Sequence, residues 1–269
     1  MNAAAAIDAP TLPGTDCAGS TAKADRFVGS KGGSGIAQWL ISLMPVHTHY
    51  VEAFLGKGVV LRTKLRASVN VGIEEDAETL RRYWFDRGDV DWLELICGDA
   101  LEYLPRLGLP PTALVYADPP YPGAVRIDTH RRYYTNDKLD DAWHGRFLDA
   151  MLALRCMVIV SGYENSFYNE KLAGWRTSWK WTIDRGGNRV REFVWLNFEA
   201  PALLHDPRFV GGNFTDRQRV KRKIERWRTK FKAMPAEERF AMFDALSQCM
   251  DEELPALLVR DEPEQKEML

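Results

Sequence analysis

The 269-residue chain has little of several things, and each shortage excludes something. Cysteine is scarce and scattered: Cys17, Cys97, Cys156 and Cys249 form no C-x-x-C pair. That argues for reduced thiols and against a disulfide frame or a zinc site. Neither sign of charge dominates, since 36 Lys and Arg against 38 Asp and Glu leave a net charge of -2. A polyanionic partner would have to be met by a local basic face. No apolar run approaches the roughly 20 residues of a membrane span. The opening residues, MNAAAAIDAPTLPG, lack the basic flank and apolar core of a secretory signal. These absences lead us to expect a cytoplasmic protein with no membrane partner. The five histidines form no cluster with acids at ligand spacing, so no metal is implied. Neither G-x-x-x-x-G-K-[ST] nor a complete G-x-G-x-x-G occurs, which weighs against a nucleoside triphosphate or a dinucleotide.

What is present falls into three parts. Residues 1–25 are rich in Ala, Gly, Pro, Thr and Asp, so burial cannot offset their ordering entropy and a disordered tail is expected. From 26 to 200, apolar strands and amphipathic helices alternate. Strands are expected at 50–54, 69–73, 93–97, 113–117 and 157–162. Helices are expected at 35–44, 59–65, 77–86, 99–107 and 139–154. Such alternation predicts an α/β domain whose mostly parallel sheet is covered on both faces. WKWTI and VREFVWLNF flank Asp184 to Arg189, which predicts a C-terminal antiparallel hairpin. From 201 to 269 a small helical appendage is expected. Its stretch Arg217 to Lys232 carries nine basic residues against one acid. Val220, Ile224, Trp227 and Phe231 fall on one face there and are expected to dock on the domain. A following helix should bury Phe240, Phe243 and Leu246.

Three strand ends carry chemistry. YVEAF runs into Phe54-Leu55-Gly56-Lys57-Gly58, and glycines at the carboxyl end of a strand let a ligand approach the backbone. An ordinary strand-to-helix turn would look the same. The next strand ends at Glu74, a carboxylate able to accept from both hydroxyls of a ribose, or else a solvated loop acid. The third ends at Asp99, suited to an adenine amine but equally suited to cap the helix that follows. Together they favour a nucleoside without phosphates. The fourth strand, ALVYA, ends in Asp118-Pro119-Pro120-Tyr121. The prolines fix φ and remove two donors, leaving the Asp118 carboxylate and the Pro119 carbonyl as rigid acceptors. That pair suits a planar exocyclic amine, and Tyr121 offers a flat face for a flipped base. A type I turn led by an Asp is the plainer alternative.

At these residues the sequence resembles the Dam-like, alpha-group DNA adenine methyltransferases, especially short phage-borne members. The resemblance spans about Phe27 to Asn197 through Phe27-x-x-x-Lys31, YVEAFLGKG, GIEED, CGDA, ADPPY, VSGYENSFY and REFVWLN, in the family's order. It implies a Rossmann-like methyltransferase fold and S-adenosylmethionine as methyl donor. By the same resemblance Phe27 packs on the cofactor and Lys31 contacts it, while Phe54, Gly56 and Gly58 wrap it. Glu74 would take the ribose, Asp99 the cofactor adenine, and Asp118, Pro119, Pro120 and Tyr121 the target adenine beside the methyl donor. Position 74 is Glu where the family usually has Asp, and Phe27 replaces a commoner Trp. Larger members insert a target-recognition domain between the two cofactor acids, whereas the short span from Glu74 to Asp99 implies that this domain is missing or reduced to a helix.

The expected partner is double-stranded DNA with an adenine flipped out. Arg126, Arg131, Arg132 and Tyr133 follow the acidic motif in a basic, aromatic stretch that could grip phosphate and stack on bases, or be a plain surface lid. Arg219, Lys223 and Arg226 on the basic helix are expected to meet phosphates. Rival readings are methylation of cytosine N4, of RNA or of a protein amide, and a DNA-binding relative that has lost catalysis. The sequence leaves the recognition site, the oligomeric state and any restriction partner open.

Overall fold

The computed structural model describes residues 31, 35–88, 90–120, 141–183 and 187–258. The expected tail at 1–25 lies outside them. Seven strands form one sheet in the order β3-β2-β1-β4-β5-β7-β6. In chain order they are β1 (His49–Glu52), β2 (Val69–Glu74), β3 (Glu94–Cys97), β4 (Ala113–Ala117), β5 (Met157–Gly162), β6 (Arg176–Ile183) and β7 (Arg189–Leu196). The first five are parallel: Val51 of β1 sits between Val71 of β2 and Val115 of β4. β7 runs antiparallel to β5, and β6 antiparallel to β7. This is the expected α/β class, a Rossmann-like, mostly parallel sheet closed by an antiparallel hairpin.

The central strands are buried on both faces, which is why they are almost continuously apolar. All five residues of β4 are buried. Alternation divides the core in two. Tyr50, Tyr116, Ile159 and Val194 face α1 (Ile36–Ile41), α2 (Val59–Thr63) and α3 (Ala77–Tyr83), through Leu40, Leu61, Leu80 and Trp84. Val51, Val115, Val160 and Trp195 face α5 (Asp141–Ala153) and α6 (Ser166–Lys171), through Phe147, Met151 and Tyr168. The short α4 (Ala100–Tyr103) follows β3 and passes into a 3-10 turn at Leu104–Arg106. α6 was not expected. Its six residues are too few to show a period, and Asn165 starts it by accepting a hydrogen bond from the Tyr168 amide at 2.8 Å.

After β7 the chain returns to the body. Asp206 is fully buried, paired with Arg208 at 2.6 Å and accepting from the Leu65 amide at 3.0 Å. Two long helices follow, α7 (Phe214–Ala233) and α8 (Ala236–Leu258). Their packing corrects the sequence reading. No residue of α7 is buried, and Ile224 and Trp227 are 46% and 54% exposed. Phe240 and Phe243 on α8 are 74% and 63% exposed, and Leu246 is exposed as well. Periodicity shows that a helix has an apolar face; it does not show that the same chain covers it. No helix among the described residues is long and apolar enough to cross a membrane.

Candidate active site at the carboxyl edge of the sheet

β1 ends at Glu52 and the chain continues alongside its neighbours: Ala53 donates to the Tyr116 carbonyl and Leu55 to the Ile73 carbonyl, each at 2.9 Å. It then turns through Gly56 and Gly58, both left-handed at φ 46 and 56. Gly58 is needed twice over. It starts α2 in a backbone region that L side chains avoid, and a Cβ there would lie 2.2 Å from the Trp84 ring. Trp84, wholly buried, donates its Nε1 hydrogen to the Gly56 carbonyl at 2.9 Å. Glu74, at the end of β2, accepts from the Gly56 amide at 2.8 Å through Oε2 and from the Asp76 amide at 3.0 Å through Oε1. The expected ribose acid and the glycine loop are thus one hydrogen-bonded unit. Burial pushes the Glu74 carboxyl up, against the pull of those two amides.

Asp99 caps α4 by accepting from the Leu101 amide at 2.9 Å. The capping role left open by the sequence is therefore present, one strand away from Glu74. The half-buried ring of Phe54 meets Trp143 and Phe147 edge-on, at 6.1 and 5.7 Å between centroids. Phe54 thereby fastens the β1 end to α5.

The densest cluster gathers around Asp118, directly after β4. Lys31 Nζ lies 2.8 Å from Asp118 Oδ1 and 2.7 Å from Glu192 Oε1, bridging β4 to β7. Ser161, on β5, donates its hydroxyl hydrogen to Asp118 Oδ1 at 2.9 Å. The Tyr116 hydroxyl is 3.0 Å from Ser161 Oγ, and with Ser161 donating onward Tyr116 is the donor there. Among the described residues, both contacts to Asp118 fall on Oδ1. Pro119 is buried and Pro120 half-buried, so the acid leaves the strand on a stiff segment. Glu192 is almost wholly buried; burial pushes its carboxyl up while the Lys31 ammonium opposes that. On the same face Glu52 accepts from the Tyr50 hydroxyl and from the Leu61 amide, each at 3.0 Å. Burial, with the Asp118 charge adding to it, pushes Glu52 up to about 8.

The structure thus brings together Lys31 with Asp118, and Gly56 and Gly58 with Glu74. The resemblance assigns Lys31 to the cofactor, and in the fold its ammonium pairs with the acid at the end of β4. Phe27, Tyr121, Arg126, Arg131, Arg132 and Tyr133 lie outside the described residues. Arg219, Lys223 and Arg226 are exposed on α7, which meets the body near the turn at Pro207–Phe209. Sequence reasoning missed Glu52, Tyr116, Ser161 and Glu192. A signal existed: Ser161 and Glu192 are polar residues within apolar strands, and a buried polar group must find a partner.

No protein-family model matches the chain, and neither does any curated protein. Solved structures with a similar course of the backbone include an rRNA methylase from Streptococcus thermophilus, at 14% identity and a TM-score of 0.40 over 65% of this chain and 98% of that one. Another is the precorrin-6y C5,15-methyltransferase of Geobacter metallireducens, at 10% identity and a TM-score of 0.41 over 65% of this chain and 92% of that one. A third is the precorrin 8w decarboxylase of Methanobacterium thermoautotrophicum, at 14% identity and a TM-score of 0.39 over 61% of this chain and 88% of that one. Likenesses this remote carry no argument about what the chain does.

Proposed function

We propose that the chain is an S-adenosylmethionine-dependent methyltransferase acting on the N6 amine of adenine in DNA. The observation that carries this reading is the Asp118 carboxylate, fixed at the carboxyl end of β4 by Lys31 and Ser161 beside the glycine loop and Glu74. The residues fit the cofactor. A half-buried carboxylate at the end of β2 suits the hydroxyls of a ribose and would repel a phosphate, and the left-handed glycines keep side chains out of the loop. Glu74, Asp99, Gly56 and Gly58 would hold it. When bound, it would supply an electrophilic methyl group carried on a sulfonium, with a neutral sulfide as the leaving group.

The chain's own part is positioning. Asp118 and the Pro119 carbonyl accept the two amine hydrogens and set the plane of the adenine. Lys31 and Ser161 hold the carboxylate in place, so it acts as acceptor and orienter; the proton shed by the methylated amine passes to solvent. Arg219, Lys223 and Arg226 would meet DNA phosphates from the exposed side of α7.

Asp118→Ala tests this. Methyl transfer to DNA should vanish in a tritiated-methyl assay while calorimetry shows cofactor affinity little changed. Retained transfer would overturn the assignment.

A further inference from the structure

β6 is the edge of the sheet, where natural proteins usually place charges or cover to prevent association. Its residues alternate strictly, and the outward row is Thr177, Trp179, Trp181 and Ile183. Trp179 and Trp181 are 46% and 42% exposed, and Ile183 is 64% exposed. The pairing with β7 sets Trp181 opposite Arg191 and Ile183 opposite Arg189. The Arg189 guanidinium stands 4.2 Å from the centre of the Trp181 ring, and that of Arg191 stands 5.5 Å from the centre of the Trp179 ring. The two indoles meet edge to face with centroids 5.7 Å apart. Arg191 also pairs with Glu164 at 2.9 Å.

The position of this face matters as much as its composition. The last rung between β5 and β7 joins Gly162 to Phe193, and β7 begins four residues earlier, at Arg189. At about 3.4 Å per residue the β6–β7 arm stands roughly 13 Å beyond the carboxyl edge of β5. It is rooted in the site itself. Lys180 and Glu192, paired across the arm, point to its opposite face. There Glu192 holds the Lys31 that holds Asp118, and Lys180 Nζ donates to the Gly35 carbonyl at 3.1 Å.

We propose that the outward face of the β6–β7 arm is a nucleic-acid contact surface, with Trp181 and Ile183 against bases or sugars beside the target adenine and Arg189 taking a phosphate. This rests on the reading of the site as a DNA methyltransferase. Flat rings interleaved with guanidinium groups suit a polyanion with stacked bases. A strand edge bearing Trp, Trp and Ile, with arginines as its flanking charges, is complementary to DNA in both respects.

The test uses the full chain, a duplex carrying methylatable adenines, fluorescence anisotropy for DNA and calorimetry for S-adenosylmethionine. Trp181→Ala should weaken DNA binding by about five- to a hundredfold, the range for losing one base-stacking contact. Trp181→Phe should restore most of it. Arg189→Gln should lower the slope of log affinity against log salt by about 0.9. All three variants should melt like wild type and bind S-adenosylmethionine equally well. Wild type that binds DNA while Trp181→Ala binds it equally overturns this inference alone. A Trp181→Ala variant that loses stability and cofactor affinity in step with DNA affinity also overturns it. Wild type that binds cofactor but no duplex at any salt overturns the DNA reading on which it stands.

Discussion

Replacing Gly58 by Ala should damage the site more than one methyl group suggests, for two separable reasons. The residue lies at φ 56, and holding an L side chain in that region costs about 1–2 kcal/mol. The added Cβ would also stand 2.2 Å from Cζ2 and 2.6 Å from Cη2 of Trp84. That ring cannot simply swing away. It is wholly buried, its Nε1 is bonded to the Gly56 carbonyl, and the Arg62 guanidinium lies 3.7 Å over it. Forcing a methyl group into such packing costs about 1–3 kcal/mol, so the whole effect should be about 2–5 kcal/mol. For a domain of this size each kcal/mol lowers Tm by roughly 2–4 °C. Thermal melting of Gly58→Ala, Trp84→Leu and the double variant separates the two contributions. With the indole removed, Gly58→Ala should cost only its backbone share, so the double variant should be more stable than additivity predicts. Because the Gly56 carbonyl hangs from Trp84, cofactor affinity should fall with the first variant. Equal cost in both backgrounds would show that the ring is not the obstacle, and no cost at all would show that the loop is not left-handed.

Glu74→Ala should weaken S-adenosylmethionine by about 1.5–3 kcal/mol, the scale of losing hydrogen bonds to a charged group, while DNA affinity without cofactor stays unchanged. Calorimetry and anisotropy on the same sample decide it, and the reverse pattern would misplace the ribose acid. Glu52 should make stability depend on pH. Its carboxyl sits at about 8 in the folded chain against an ordinary 4.5, so between those values the folded state holds a proton that the unfolded state has lost. Stability therefore falls as pH rises through that window and reaches its low plateau above about 8. Glu52→Gln cannot ionise, and its stability relative to wild type should climb across the same window. Denaturant titrations at a series of pH values test this; a difference that stays constant would refute it.

How far the sequence alone could go depended on where each signal lies. The central strands, β4 and β5 above all, were legible because parallel strands buried on both faces are nearly unbroken apolar runs. Asp118 was legible because two prolines after an acid are a local oddity. Ser161 touches Asp118 only because β5 lies beside β4, and Glu192 reaches it only through Lys31 from β7 on the far side of β5; that order is written in no short stretch of chain. Lys31 was legible as a site residue, but its bond to Asp118 crosses 87 positions and belongs to the folded state. Trp84 is similar: its indole fills the space above Gly58, and nothing in its own neighbourhood announces that. The apolar rows of α7 and α8 were legible as rows. What covers them is a property of packing, which periodicity does not contain.

The central claim is that Asp118 presents an acceptor to the N6 amine of adenine in DNA. The most direct measurement is to express the chain in a host without DNA methylation, digest the DNA to nucleosides and separate them by mass spectrometry. The account predicts N6-methyladenine in DNA from cells carrying the wild-type chain and none with Asp118→Ala. N4-methylcytosine alone, or unmodified DNA beside methylated RNA, would contradict it.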